Sequence, residues 1–190
     1  MGLTLLIAGA DAVTVEEVKD HCRISQGVED AQLSKWLKAA QRIAESVTGR
    51  ALTIQTWTLK LDAFPAVNDG EIRLPKGPNW AVTSITYIDV NGVSQTLATA
   101  NYEIDASKGR LRPTATGTGW PSTDDVYNAV TVTFTCGFGA AASVPETIKS
   151  AIFLIVADWY ENRERAEDLS PGAKALLMAE WDGVYLPAHW

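Results

Sequence analysis

The sequence predicts an α+β protein: a mainly helical core into which an antiparallel β domain is inserted. Three observations support this prediction. A helical stripe of apolar residues follows residue 30, strand-like alternation begins near Trp57, and helical periodicity resumes after Pro145. The expected division is a helical core of residues 14–50 and 144–168, a β domain of residues 51–143, and a short C-terminal helix and tail of residues 169–190.

Two helices are predicted before the β domain. Thr14 and Glu17 have the spacing of a capping box, which predicts a short helix ending near Arg23. A second helix ends near Thr48, where Gly49 follows as the residue that closes it. Its apolar side chains recur every three or four residues and form one stripe, made of Leu33, Trp36, Leu37, Ala40, Ile43, Ala44 and Val47.

The middle of the chain has the pattern of antiparallel strands. Residues 57–61 and 130–134 alternate between apolar and polar side chains. Residues 82–90 are rich in β-branched and aromatic side chains, and Asn91-Gly92 is typical of a two-residue hairpin turn. Further short strands are predicted at residues 72–74, 102–105 and 110–112.

A long helix is predicted after the β domain. Ser143 and Glu146 have capping-box spacing, and a helix from there to about Arg165 would be about 30 Å long. Its apolar residues form two stripes, which is typical of a helix that is central to the fold or shared with a neighbouring subunit. One stripe contains Ile148, Ile152, Ile155 and Trp159, and the other contains Phe153, Val156 and Tyr160.

The chain ends in a short helix and an apolar tail. Ser170-Pro171 begins the helix, and residues 184–190 are apolar and aromatic but too few to build a core. Such a C-terminus becomes ordered when a partner binds it. We therefore expect a docking role for this end.

The composition is that of a folded acidic protein. Apolar residues make up 46% of the 190 residues, and the formal net charge is −7. A protein that grips DNA nonspecifically needs a surplus of lysine and arginine, so we expect no DNA-gripping role. The apolar run at residues 3–10 lacks a basic flank and is too short to span a bilayer. We expect a protein without a membrane segment that is made and kept in a cytoplasm.

The residues needed for catalysis or metal binding do not cluster in the sequence. Cys22 and Cys136 are far apart, and the only histidines are His21 and His189. Asp124-Asp125 lacks the spaced ligands of a calcium loop. We therefore expect a protein that is not an enzyme and binds neither a metal nor a cofactor.

Two functions of other classes remain open. A carbohydrate-binding β module would use Trp80 and Trp120 as stacking platforms, although loop tryptophans more often cover the edges of a small β domain. A small hydrolase would use Cys136 as its nucleophile.

Short motifs follow one another in a distinctive order over residues 14–165. They are Thr14-Val15-Glu16-Glu17-Val18-Lys19, Thr48-Gly49-Arg50, Gln55-Thr56-Trp57, Ile72-Arg73-Leu74-Pro75, Ile85-Thr86-Tyr87, Gly137-Phe138-Gly139, Val144-Pro145-Glu146 and Tyr160-Glu161 with Arg163. In this order they resemble the phage head–tail connector family, the adaptor or head completion proteins. The chain departs from the family at its C-terminus, Glu180-Trp181-Asp182 to Trp190, where a more basic ending is expected.

The resemblance implies a structural subunit of a particle neck. Its copies would form a ring, expected to be twelvefold, between the portal of a phage or gene-transfer head and the tail. The portal would lie above it, a tail-completion or stopper protein below it, and double-stranded DNA would pass through its channel without specific binding. Assembly would take place in the bacterial cytoplasm. The alternative within this class is a tail-completion or stopper ring further down the same neck.

A ring of identical subunits needs two different faces on each copy. Under the resemblance, the expected subunit interface consists of Phe153, Val156, Tyr160, Trp36 and Arg163. The expected portal-docking residues are Leu176, Leu177, Trp181, Tyr185 and Trp190. Truncation after Asp168 is expected to leave the fold intact and to weaken docking on the portal.

Overall fold

The computed structural model describes residues 1–24, 29–66, 70–115, 119–162 and 169–181. Within these residues the chain forms four α-helices and two antiparallel sheets, so the predicted α+β class is confirmed. The chain divides into two units, each built from two segments. The β unit comprises Met1–Gly9 and Ile54–Gly137, and the helical unit comprises the described residues of Ala10–Thr53 and Phe138–Trp190.

The helices of the helical unit are α1 (Val15–Cys22), α2 (Asp30–Thr48), α3 (Glu146–Glu161) and α4 (Pro171–Ala179). The capping box before α1 is confirmed, because the Thr14 hydroxyl accepts the Glu17 N–H and the Glu17 carboxylate accepts the Thr14 N–H. Gly49 ends α2 at a φ of 73°, a conformation that costs glycine little because it has no Cβ.

Both predicted ends of α3 are wrong. Ser143 does not cap the helix, because it lies in a short 3₁₀ turn, and α3 begins without a side-chain cap. At the other end, Asn162 leaves the helical conformation, with φ −114° and ψ 52°, so the helix ends at Glu161, short of Arg165. The helix therefore has 16 residues, a length of about 24 Å.

Helix α3 contacts the other three helices and lies at the centre of the helical core. The core is formed by Ala12, Val13, Val18, Leu33, Leu37, Ala40, Ala44, Val47, Leu52, Val144, Ile148, Ala151, Ile152, Ile155, Val156, Ala173 and Leu177. Helix α4 contributes Ala173 and Leu177, so the core has four helices and the described part of the predicted tail belongs to it. Truncation after Asp168 would remove both side chains, so the expectation that it spares the fold is wrong.

Gln41 of α2 is a buried polar side chain that holds the segment leading into α1. Its Oε1 accepts the Ala12 N–H at 2.8 Å, and its Nε2 donates to the Ala10 carbonyl at 3.3 Å. The Thr53 hydroxyl donates to the same carbonyl at 2.7 Å. Because Ala12 and Val13 are buried, these bonds satisfy backbone groups that have lost contact with water.

The strands of the β unit are β1 (Gly2–Ile7), β2 (Gln55–Leu61), β3 (Ile72–Arg73), β4 (Ala81–Ile88), β5 (Ser94–Thr96), β6 (Tyr102–Asp105), β7 (Arg110–Pro113) and β8 (Val130–Cys136). They form a five-stranded sheet of order β1-β2-β8-β4-β5 and a three-stranded sheet of order β3-β7-β6. Strand β1 was not predicted. It pairs with β2, which begins only at Gln55, so no local pattern in the sequence reveals the pairing.

One face of the central strands forms the β core. In β8 the side chains of Val130, Val132 and Phe134 are buried, and the register places Leu59 and Ile85 on either side of Val132. The buried apolar residues of this unit are Leu59, Ile72, Leu74, Ile85, Leu97, Tyr102, Leu111, Ala129, Val130, Val132, Phe134 and Cys136. The opposite face of the same strands is rich in threonine, which is typical of a half-exposed sheet.

Trp80 closes one end of the β unit. Its indole lies against Gly77 and Gly109, and its N–H donates to the Pro75 carbonyl at 2.8 Å. A Cβ on Gly109 would lie 2.6 Å from the indole ring, closer than side-chain atoms approach one another. Glycine at this position therefore lets the β6–β7 turn pack against Trp80.

Replacement of Gln41 with alanine should lower the free energy of unfolding by about 1–3 kcal/mol, because the buried Ala12 N–H loses its acceptor. Urea denaturation followed by circular dichroism measures the change. Gln32→Ala is the control, because Gln32 is exposed on the same helix. Equal stability of the two variants would contradict the role given to Gln41.

Gly109→Ala and Gly92→Ala form a matched pair, with φ angles of 63° and 76°. Both alanines adopt left-handed backbone at a cost of about 1–2 kcal/mol. Only the Gly109 variant also pushes against Trp80, which should add about 1–3 kcal/mol, since a Cβ at Gly92 meets open space. Urea denaturation should therefore show the larger loss for Gly109→Ala, and equal losses would mean that Trp80 is not packed there.

Candidate interaction surfaces

The subunit-interface residues predicted on α3 differ in exposure. Val156 is fully buried in the helical core, so its side chain has no surface to offer a neighbour and the prediction for it is wrong. Phe153 and Tyr160 are half-buried and pack against that core. The Phe153 ring also stacks on the exposed His21 imidazole, with 5.2 Å between ring centroids. The two other members of the predicted set are Trp36, half-buried on α2, and Arg163, which lies outside the described residues.

The predicted docking residues at the C-terminus also differ in exposure. Leu177 is fully buried in the helical core, so the prediction for this residue is wrong as well. Leu176 and Trp181 are half-buried, so part of each side chain faces solvent. Tyr185 and Trp190 lie outside the described residues. Of the predicted set, Leu176 and Trp181 are the residues that the structure places at a surface.

Two exposed apolar side chains of the helical unit were not predicted from the sequence. Leu154 of α3 is 36% exposed and Met178 of α4 is 41% exposed. Leu154 lies within a continuous apolar run, but it is four residues from both Ser150 and Asp158, which places it on the polar side of α3. None of the described helices combines the length and apolar content needed to cross a bilayer.

A second exposed apolar surface was missed in the β unit. It consists of Val90 and Val93, 63% and 52% exposed on the β4–β5 hairpin, with Val126 and Tyr127, 40% and 89% exposed on the loop before β8. The Asp124 N–H donates to the Ile88 carbonyl, and the Ile88 N–H donates to the Ala129 carbonyl. These two bonds join the loop to the residue before the hairpin turn. We call these four side chains the apolar tip.

The tryptophans considered for sugar stacking make contacts within the β unit. The Trp120 ring stacks on Phe64 with 4.7 Å between centroids and 9° between planes, and its N–H donates to the Gly70 carbonyl. Trp80 packs against Gly109, and its N–H donates to the Pro75 carbonyl. A sugar platform needs a free aromatic face, so these contacts favour the edge-covering role for both residues.

The two thiols are placed differently. Cys136 is 1% exposed and faces the β core, so a substrate cannot reach the nucleophile of the hydrolase alternative. Cys22 is half-buried on α1, where burial raises the pKa of its thiol and the Glu161 carboxylate raises it further. Both effects disfavour the reactive thiolate. In the described part of the chain, His, Cys, Asp and Glu side chains form no group of three or more that could hold a metal ion.

Three solved structures are similar to this chain over almost its whole length. A chain of the virion of a native gene transfer agent (GTA) particle is 30% identical with a TM-score of 0.79, and 99% of this chain and 98% of that chain are covered. A chain from the neck of an empty GTA particle computed with C6 symmetry is 29% identical, with a TM-score of 0.78 and 98% of both chains covered. A chain from the neck of a native GTA particle computed with C12 symmetry is 27% identical, with a TM-score of 0.75 and 98% of both covered.

The family comparison agrees with these structures. Curated protein sequences give no significant match. The sequence profile of the family described as head completion protein matches residues 11–180, a range that includes all four helices and every strand except β1. This chain therefore belongs to the head completion protein family.

Proposed function

We propose that this chain is a structural subunit of the neck of a tailed phage or gene transfer particle. The observation that carries the proposal is similarity over 98% of this chain and 98% of a chain from a neck computed with C12 symmetry. Coverage in both directions means that the helical unit and the β unit are both included. We assign the chain to a ring of twelve copies between the portal and the tail.

The helical unit supplies a surface for ring formation. A closed ring of identical copies joins two different faces of each subunit. We place one of these faces on the side of α3 that carries the half-buried Phe153 and Tyr160, and assign Trp36 of α2 to the other. Val156 supports the α3 face from within the core.

The charge of the chain is suited to a DNA channel. The net charge is −7, so a ring of such subunits carries the same sign as the DNA backbone. Like charges repel, and few phosphate contacts form, so a duplex can slide through the channel without being held. DNA would pass through the ring without specific binding.

We assign portal docking to the C-terminal end of the chain, from Leu176 and Trp181 to Tyr185 and Trp190. Each C-terminal segment makes only a modest contact. A ring presents one such segment per subunit, and because these segments are linked through the ring, the affinity of the whole ring for the portal is much higher. A place next to the portal distinguishes an adaptor from a tail-completion or stopper protein, which would lie further down the neck.

Chemical cross-linking of purified particles followed by mass spectrometry tests this assignment. The full chain should cross-link to the portal protein, whereas a chain truncated after Trp181 should lose most of those cross-links. This truncation leaves every described residue in place, so the urea midpoint of the purified protein should be unchanged.

A chain truncated after Asp168 is the control for fold loss. It lacks the buried Leu177, and removal of one such side chain costs about 2–5 kcal/mol. The adaptor position would be contradicted if the full chain cross-linked only to tail proteins. The docking assignment would be contradicted if truncation after Trp181 left portal cross-links at the level of the full chain.

A further inference from the structure

We infer that the β unit makes its own contact between neighbouring copies, in which the apolar tip of one copy docks on the opposite, basic end of the next copy's β unit. The inference rests on the proposed ring and adds to it a second contact that the helical unit does not provide. The partner that covers the apolar tip is therefore a second copy of this chain.

The apolar tip is exposed on a well-ordered support. The Asp89 carboxylate accepts the backbone N–H groups of Asn91 and Val93 and the side-chain amide of Gln95, which fixes the hairpin turn. These hydrogen bonds, that of Gln95 first, hold the pKa of Asp89 below its usual value. The Tyr127 ring is 89% exposed beside this hairpin. A rigid, exposed apolar surface of this kind is typical of a protein contact.

Carboxylates lie at the same end of the β unit as the apolar tip. Asp62, Asp89, Asp124 and Asp125 all lie at this end of the five-stranded sheet, where β2 and β4 end and β8 begins. The described residues 61–66, 86–96 and 119–130 contain no lysine or arginine, and Lys60 precedes this region on β2. The surface that covers the tip should therefore be basic.

The opposite end of the same unit is basic. Lys76 and Lys108 flank the glycines that pack against Trp80, the residue before β4. Arg73 and Arg110 face each other across β3 and β7, and their side chains are 69% and 47% exposed.

The local carboxylates do not neutralise this end. Arg73 and Arg110 share one carboxylate, that of Glu71, which lies 3.8 Å and 3.2 Å from their Nε atoms. The Asp105 carboxylate is engaged by the backbone and hydroxyl of Ser107 in the β6–β7 turn. The Arg112–Glu103 ion pair lines the same cavity as Arg110 and Asp105, and the Lys76 ammonium lies over the Trp57 ring. Five basic side chains therefore face three acidic ones, and a surplus of positive charge remains for a partner.

The two ends cannot meet within one copy. Trp80 comes directly before β4 and Asp89 directly after it, and the eight residues of β4 span about 25 Å. Both ends belong to one unit, so their opposite charges cannot pair with each other within one copy. Such a head-to-tail contact joins two different faces, which is the arrangement that a ring requires.

A zero-length carbodiimide cross-linker, which joins a carboxylate to an amine, tests the contact in purified particles. We expect cross-linked peptides that join Asp124 or Asp125 to Lys76 or Lys108. The length of β4 forbids these pairs within one copy, so each such peptide reports a contact between copies.

A charge swap tests the same contact through assembly. Asp124→Lys with Asp125→Lys makes the tip basic, and Arg73→Glu with Lys108→Glu makes the other end acidic. When either double variant is present alone, the tip of one copy and the opposite end of the next copy carry charge of the same sign. Because these surfaces then repel, the yield of heads joined to tails should fall about tenfold or more. Co-expression of the two should restore the yield, because each tip then meets an end of opposite charge on the other variant. Glu16→Lys with Asp20→Lys on the exposed side of α1 makes the same charge change as the tip variant and should behave as the wild type.

The outcomes separate this inference from the proposed ring. If the chain occupies a neck ring but the cross-links are absent, or if both variants assemble normally, the β-unit contact is wrong and the ring stands. If folded variants fail alone and also together, the tip docks on a different basic protein, and the inference is overturned. Absence of the chain from the neck would overturn both proposals.

Discussion

The packing of α3 against α1, α2 and α4 is the interaction on which the helical unit depends. Six of its 16 residues are buried, and among them Ile148, Ile152 and Val156 are completely inaccessible to water. The partners Leu33 and Leu37 precede the β unit in the sequence, whereas Leu177 lies near the end of the chain. The helical core therefore forms only when segments from both sides of the β unit come together.

This arrangement decides which side chains remain for other proteins. A helix with three neighbours buries more than one stripe, so α3 uses most of its apolar surface within its own unit. Leu154 is left exposed, and Phe153 and Tyr160 are left half-exposed. In the β unit, the alternation of strands buries one face, and the loops at one end carry the apolar tip. The interaction surfaces are what remains after each core is complete.

Local signals in the sequence predicted much of the fold. Capping at Thr14 and closure at Gly49 are short-range features, and the structure contains both. The β4–β5 hairpin is also present, but its turn is longer than the predicted two residues, because the Asp89 N–H donates to the Val93 carbonyl and Val90, Asn91 and Gly92 lie between them. Strand β1 was missed because its pairing with β2 is long-range, and periodicity reports only what is local. The end of α3 was misplaced because neither glycine nor proline marks it, although Asn162 leaves the helical conformation.

The candidate surfaces were harder to predict than the fold. Val156 shares helical spacing with Phe153 and Tyr160, but spacing does not reveal that α3 contacts three other helices and that Val156 is buried in their common core. Val126 and Tyr127 lie between Asp125 and Asn128 in a loop without strand or helix periodicity, so the sequence does not mark them as part of an apolar surface. The separation of acidic and basic ends depends on strand register, which brings Asp62 to Asn128 and Arg73 beside Arg110. Family membership came from the order of motifs along the whole chain, not from any single site.

The most direct measurement of the central claim is electron microscopy of the particle neck, reconstructed without imposed symmetry. The account predicts twelve copies of this chain around the DNA channel beneath the portal, with both the helical unit and the β unit visible in each copy. A neck in which this chain is missing, or a particle in which it occurs as an isolated single copy, would contradict it.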